Sequence, residues 1–383
     1  MINIYQPSLG KEELNAIKEV FDSNWLGKGP KTDEFIKQIA TKLISDTFDG
    51  IGCSYASTEQ LMTVSCCTEG VFQIIDLLDI KEGDEVILPS VSFVGIANAI
   101  INKKAKPVFC DVDKHTLNPT SDHILEKITL KTKAIIILHY AGVPCDMYDI
   151  VKLCKEKNII LIEDNANSPF SSYNGQSTGT FGDYGVWSFD AMKILVTGDG
   201  GLIYAKNKNN IEKLKRSTYL GLETASGLSN TIDKKWWEFN ISVPGRRSIT
   251  NDIQAAIGLE QLKKVDNFIA RRKEIHEMYE NGLKDLDWII LPNIPKYVHS
   301  SYYMYHIQTE HRDELAKYLR KNDIYTTFRY YPLHWVEFYD CNDKLPNTDY
   351  AANNTLCIPI HQSLSNVDVN KIIKTIRRYK NEL

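Results

Sequence analysis

The sequence predicts an α/β fold: a mostly parallel sheet between layers of helices, followed by a smaller α+β unit. Three observations carry this expectation. Short apolar strands alternate with helical stretches from Met62 to Ala205, the pattern of a parallel sheet covered on both faces. Near Gly182 the rhythm changes to two successive strands joined by a short glycine-bearing segment, which suits an antiparallel addition to that sheet. After Thr250 a long helical stretch opens a region of mixed strands and helices. A chain of 383 residues has room for two domains. Residues 1–250 are expected to form the large domain and residues 251–383 the small C-terminal one.

Taken in order, the first helix is expected from Glu12 to Phe21, with Leu14, Ile17, Val20 and Phe21 on one apolar face. A turn at Gly27-Lys28-Gly29-Pro30 leads to a second amphipathic helix carrying Phe35, Ile36, Ile39, Ala40, Leu43 and Ile44. The strand Met62 to Cys66 feeds a helix from Thr68 to Leu78, and Glu85 to Leu88 passes through Pro89 into the helix Val94 to Asn102. Pro107 to Asp111, Ala134 to His139 and Ile159 to Glu163 are further strands, with the helix Met147 to Lys157 between the last two. Tyr184 to Asp190 and Gly201 to Ala205 are the two successive strands. Residues 206–250 read as irregular. The long helix runs from Asn251 to Leu283 with a break near Asp266. Strand-like Tyr302 to Thr309, the helix Arg312 to Lys321, strand-like Tyr325 to Tyr331, the strand Thr355 to Ile360 and the helix Val367 to Tyr379 complete the α+β unit.

Composition excludes several classes. Hydrophobic residues at 43% and charged residues at 25% are ordinary globular proportions. A net charge of −4, with basic residues scattered singly or in pairs, leaves no footprint for nucleic acid. No apolar run reaches the roughly eighteen residues of a membrane span, and Met1 to Pro7 lacks the regions of a signal peptide. The eight cysteines (Cys53, Cys66, Cys67, Cys110, Cys145, Cys154, Cys341 and Cys357) form no C-x-x-C pair, so reduced thiols in a cytoplasmic protein are expected. The nine histidines show no metal-ligand spacing, and no metal site is expected. There is no G-x-G-x-x-G after a first strand, no phosphate loop and no G-x-S-x-G elbow.

Six positions remain that carry chemistry in combination. Lys193 lies 29 residues after Asp164, just ahead of Thr197-Gly198-Asp199-Gly200-Gly201. Asp164 closes an apolar strand, where ligands of open α/β sheets bind; it reads either as a ligand partner or as a local cap. Thr68, in Cys66-Cys67-Thr68-Glu69-Gly70, starts a helix and reads as an anion site or as a plain N-cap. Glu69 would serve such a site through its backbone N–H, its carboxylate turned away. Phe93 follows another strand end and reads as a stacking ring or a core aromatic. Ser188 sits on an alternating strand and faces either core or ligand. A buried acid with a desolvated lysine is what pyridoxal phosphate chemistry requires. Tyr219 to Trp237, with Trp236 and Trp237, reads as a packing loop or a sugar contact, and His334 and Trp335 carry the same ambiguity.

These residues resemble the fold-type-I, pyridoxal-phosphate-dependent sugar aminotransferases of the DegT/DnrJ/EryC1/StrS family. The resemblance runs through Gln6-Pro7-Ser8-Leu9-Gly10, Trp25 to Pro30, Gly83 to Pro89, Gly142 to Met147, Ile162-Glu163-Asp164, Ser188-Phe189 with Lys193 and Gly198 to Gly201, Asn251 to Gly258, and Tyr331-Pro332-Leu333-His334. It implies a seven-stranded-type sheet in the large, cofactor-binding domain. Lys193 would be the Schiff-base lysine and proton shuttle, and Asp164 the partner of the pyridinium nitrogen. Thr68, Glu69 and Ser188 would hold the phosphate, and Phe93 would stack on the ring.

Two positions depart from the family's commonest pattern. Asn167 stands where glutamine or histidine usually meets the cofactor's phenolic oxygen. Arg247 aligns with an asparagine that many members donate to the phosphate from a partner subunit, which implies a homodimer with a shared active site. Arginine suits a phosphate dianion better than an amide does. Members that dehydrate sugars without amino transfer carry histidine in place of the lysine, so Lys193 implies transamination. The expected reaction moves an amino group from an amino acid, glutamate in most relatives, to a keto-sugar, nucleotide-linked, in surface-polysaccharide or amino-sugar biosynthesis. The alternatives are a smaller ketone such as a phosphorylated triose or an eight-carbon keto-sugar acid, and a regulatory homologue that binds cofactor without turnover.

Overall fold

The computed structural model describes residues 1–45, 54–223 and 239–379. Seven strands form its main sheet: β1 (Leu61–Val64), β2 (Glu85–Pro89), β3 (Lys106–Cys110), β4 (Thr132–Leu138), β5 (Ile160–Asp164), β6 (Tyr184–Ser188) and β7 (Gly201–Ala205). Their order across the sheet is β1-β7-β6-β5-β4-β2-β3. From β6 to β3 all neighbours are parallel, whereas β7 runs antiparallel to both β6 and β1. The change of rhythm near Gly182 therefore marks one inserted antiparallel strand, while β6 itself stays parallel to β5.

The central strands are apolar throughout because both faces are covered. Alternate residues feed two cores, as the two-residue period of a strand requires. Val86, Leu88, Ile136 and Ile162 pack on one side with α3 (Cys67–Leu77) and α4 (Val94–Ile101). Ile87, Ile135, Ile137 and Leu161 pack on the other with α5 (Ser121–Leu125) and α6 (Met147–Lys157). A third core joins α2 (Pro30–Ala40) to α8 (Asp252–Leu283), and α1 (Lys11–Asp22) also lies against α8. In the C-terminal part, β8 (Tyr305–Gln308) and β9 (Thr355–Ile358) pair antiparallel and share a core with α9 (Arg312–Lys321) and α11 (Asn366–Tyr379).

Several expectations need correction. On α1 the buried residues are Glu13, Ala16 and Val20, while Leu14 and Phe21 are 66% and 57% exposed. Glu13 replaces an apolar contact because its carboxylate is fully engaged, accepting from Gly10 N at 2.7 Å, Gln261 Nε2 at 2.8 Å and Lys264 Nζ at 2.7 Å. Helix α2 stops at Ala40, and Ile44 lies in a two-residue strand paired with Tyr55. Within residues 206–250 there is a regular helix, α7 (Lys208–Ser217), capped by Asn207. Helix α8 is unbroken: Asp266 faces solvent and pairs with Lys42 at 2.9 Å, while Leu262, Val265 and Ile269 carry the buried stripe past it. Residues 325–331 form no strand; only an isolated bridge from Thr327 to Cys357 is present there. Helices α5 and α10 (Pro346–Asn354) were not anticipated. Cys53, Trp236 and Trp237 lie outside the described residues.

Candidate active site

The site forms at the carboxyl ends of the parallel strands, where an open α/β sheet leaves backbone and side chains free to meet a ligand. Asp164 is the last residue of β5 and Ser188 the last of β6. Cys66 caps the start of α3, and Phe93 precedes α4. Lys193 sits between β6 and β7 in a loop closed by Thr197 N donating to Phe189 O, Phe189 N to Gly200 O and Lys193 N to Asp190 O, each at 2.9 Å. Gly198 makes that loop possible, since its φ of +90° is strained for any residue with a Cβ. The result is a cavity of about 270 Å³ lined by Cys66, Cys67, Thr68, Phe93, Asp164, Ser188 and Lys193.

Lys193 is 6% exposed and Asp164 3%. Burial works against the Lys193 ammonium, but Tyr303, Tyr330 and Asp164 favour it, and its pKa is raised to about 12 against the pull of Arg329. Burial pushes the Asp164 carboxyl up, opposed by the Ala166 N–H, which it accepts at 2.8 Å, and by Lys193 and His139. The neighbouring acid, Glu163, is fully buried and accepts from Gly179 N, Phe181 N and Gly182 N at 2.7–2.8 Å. His139 joins it: Cys145 N donates to Nδ1 at 3.0 Å, so Nε2 carries the proton and donates to Glu163 Oε2 at 3.1 Å.

The other expected site residues divide. Thr68, Phe93 and Ser188 reach the cavity. Glu69 does not line it: its carboxylate accepts from Gln73 Nε2 at 2.7 Å and Arg246 Nε at 2.9 Å, and its N–H bonds Cys66 Sγ at 3.4 Å. Asn167 is fully buried and is not among the lining residues; it accepts from the Tyr330 hydroxyl at 3.0 Å, and its Nδ2 has no partner among the described residues. Arg247 is exposed outside the cavity, its guanidinium 5.2 Å from the Tyr219 ring. His334 is buried, whereas Trp335 is exposed. His334 Nδ1 bonds Ser90 Oγ at 2.6 Å, and Asp349 Oδ1 bonds both His334 Nε2 and Trp335 Nε1. Ser90 is fully buried, so this serine–histidine–aspartate line is a strap across the fold, with no exposed nucleophile.

Arg329 and Tyr330 also line the cavity, with Tyr303 and Tyr5 packed beside Lys193 and Arg329, and no local motif announces any of them. Lys193 Nζ lies 5.0 Å from the Tyr303 ring, Tyr303 stacks on Tyr5 at 5.4 Å, and the Arg329 guanidinium lies 5.0 Å from Tyr5 and 5.4 Å from Tyr330. Tyr330 holds a left-handed backbone at φ +74°, which costs about 1–2 kcal/mol and is the kind of strain that collects at functional sites.

Residues 7–377 match the family model for DegT/DnrJ/EryC1/StrS aminotransferases. The chain is 44% identical over 376 residues to the dTDP-4-dehydro-2,3,6-trideoxy-D-glucose 4-aminotransferase of Saccharopolyspora spinosa, covering 97% of this chain and 95% of that protein. It is 33% identical over 383 residues to GDP-perosamine synthase of Escherichia coli, covering 99% and 98%. The crystal structure of the aminotransferase TlmJ from Streptoalloteichus hindustanus has a TM-score of 0.92 and 45% identity, over 100% of this chain and 99% of that one. The chain belongs to the DegT/DnrJ/EryC1/StrS family and is an aminotransferase dependent on pyridoxal 5'-phosphate.

Proposed function

We propose that this enzyme moves an amino group from an amino acid, glutamate in the first instance, to a nucleotide-linked keto-sugar, in the cytoplasmic making of amino sugars for surface polysaccharides. One observation carries the reading: Lys193 is buried in the same cavity as a buried strand-end acid and the start of a helix. Support for the acceptor comes from two relatives whose names specify a dTDP-linked and a GDP-linked sugar.

The residues present fit pyridoxal phosphate. Among the described residues Asn167 Nδ2 is a buried donor without a partner, an arrangement that costs free energy until an acceptor arrives. Cys67 and Thr68, the first residues of α3, line the cavity, and a helix N-terminus with a hydroxyl residue beside it suits a phosphate. When bound, the cofactor supplies an electron-accepting ring that stabilises charge on the carbon bearing the transferred nitrogen.

Each side chain then has a distinct task. Asp164 would keep a proton on the pyridine nitrogen, and Asn167 would donate to the phenolic oxygen. Thr68 and Ser188 hold the phosphate through their hydroxyls, and Phe93 covers the ring. Glu69 acts only through its N–H, whose long bond to Cys66 Sγ a phosphate oxygen would replace. Lys193 Nζ would hold the cofactor through its aldehyde carbon and would move the proton at the reacting carbon of the substrate. Arg247 reaches the phosphate of a partner subunit, so the working form is a homodimer.

Borohydride should fix the cofactor to the wild-type chain but not to Lys193→Ala, read by mass spectrometry. Fixation to the variant would remove Lys193 from this role. A panel of keto-sugars with glutamate, read as 2-oxoglutarate release, should give turnover only with nucleotide-linked members. Equal turnover of a phosphorylated triose would overturn that choice of acceptor.

A further inference from the structure

Arg329 stands where two cavities meet. The smaller is the Lys193 cavity; the larger, about 530 Å³, is walled by Tyr5, Tyr325 and Tyr331, and Arg329 lines both. The rings of Tyr5 and Tyr330 lie against its guanidinium at 5.0 and 5.4 Å. Such cation–ring contacts leave the N–H fork available for a planar anion. Among the described residues no carboxylate pairs with Arg329; its polar side-chain contacts are Met192 Sδ at 4.0 Å and the Tyr330 phenol. The other inward-facing arginine, Arg272, is instead satisfied by Gln362 and the carbonyls of Tyr302, Tyr303 and Ile360. Arg329 is half-buried and its guanidinium has more N–H donors than its contacts with Met192 and Tyr330 use, which suits it to an incoming anion.

We propose that Arg329 binds a carboxylate of the amino donor and so presents the donor's amino group to the Lys193 cavity. This rests on the aminotransferase reading above. An amino acid carries its α-carboxylate on the reacting carbon itself, within reach of a residue that shares the cavity with Lys193. A nucleotide-linked sugar carries its diphosphate on the anomeric carbon, set off from the reacting ketone by the sugar ring. The short reach favours the carboxylate, and the flat fork of arginine matches it in two parallel hydrogen bonds.

The test titrates the cofactor-loaded enzyme with glutarate by calorimetry and with glutamate by loss of the cofactor's visible band. Arg329→Gln should weaken both by about 10- to 100-fold, with binding of the nucleotide dTDP unchanged. Arg329→Lys keeps the charge without the fork and should fall between the two. It also carries the test should Arg329→Gln fail to retain cofactor. Equal midpoints in wild type and variants, or a wild type that ignores glutarate, overturn the proposal. So does a loss confined to dTDP, which would assign Arg329 to the diphosphate. Failure of the wild type to respond to any amino acid would instead count against the aminotransferase reading, so the two failures are distinguishable.

Discussion

Asp164 is where the needs of the site and the stability of the fold oppose each other. Its burial favours the neutral carboxyl, and its pKa in the folded, cofactor-free protein is raised. The folded state then holds a proton that the unfolded chain has already released. Stability therefore falls as pH rises from the ordinary carboxylate range to the raised value, and it does not recover above it. Thermal melts of cofactor-free protein from mildly acidic to neutral pH should show this decline. Asp164→Asn should flatten it and raise the neutral-pH midpoint while weakening cofactor binding; parallel profiles would contradict this account. Asp164 and Lys193 were legible only in combination, as a strand-end acid followed 29 residues later by a lysine before a glycine turn. Tyr5, Tyr303 and Arg329 were not legible, since only the fold brings three such distant segments to one lysine.

At the scale of elements, helices are terminated by acids from elsewhere in the chain. Helix α2 begins after Gly29, which has no side chain to cap it. Asp252, the first residue of α8, supplies the cap: it accepts from Gly29 N at 2.9 Å, Lys31 N at 3.1 Å, and Thr32 N and Oγ1 at 3.0 and 2.7 Å. Asp111 does the same for α10, accepting from Asn347 N at 3.1 Å and from Thr348 N and Oγ1 at 2.7 Å. Asp252→Ala leaves three buried or half-buried N–H groups unpaired and should cost about 2–3 kcal/mol. Denaturant unfolding of the cofactor-free protein measures this, and a loss below about 0.5 kcal/mol would mean that water caps α2 as well. Such caps escape a sequence reading because donor and acceptor are some 220 residues apart. Strands buried on both faces were read correctly, as apolarity alone marks them. The inner face of α1 was misread, because periodicity locates an apolar stripe without saying whether this chain's own core covers it.

That uncovered stripe bears on the whole molecule. Leu9, Leu14, Phe21 and Trp25 are each more than half exposed, within a short span around α1. A monomer gains nothing from exposing large apolar residues so close together, whereas a second copy of the chain would bury them. Arg247 points the same way, being exposed and outside the cavity of its own subunit. If each subunit lends Arg247 to its partner, the defects of Lys193→Ala and Arg247→Ala lie in different subunits of a mixed dimer. One of its two sites then receives both a sound lysine and a sound arginine. Each variant alone should have strongly reduced activity, and refolding them together should restore part of it. Sedimentation should give twice the 43.7 kDa of one chain, and Phe21→Glu should shift it toward one. A mixture no more active than its components, with each variant still dimeric, would place Arg247 in its own subunit's chemistry or in none.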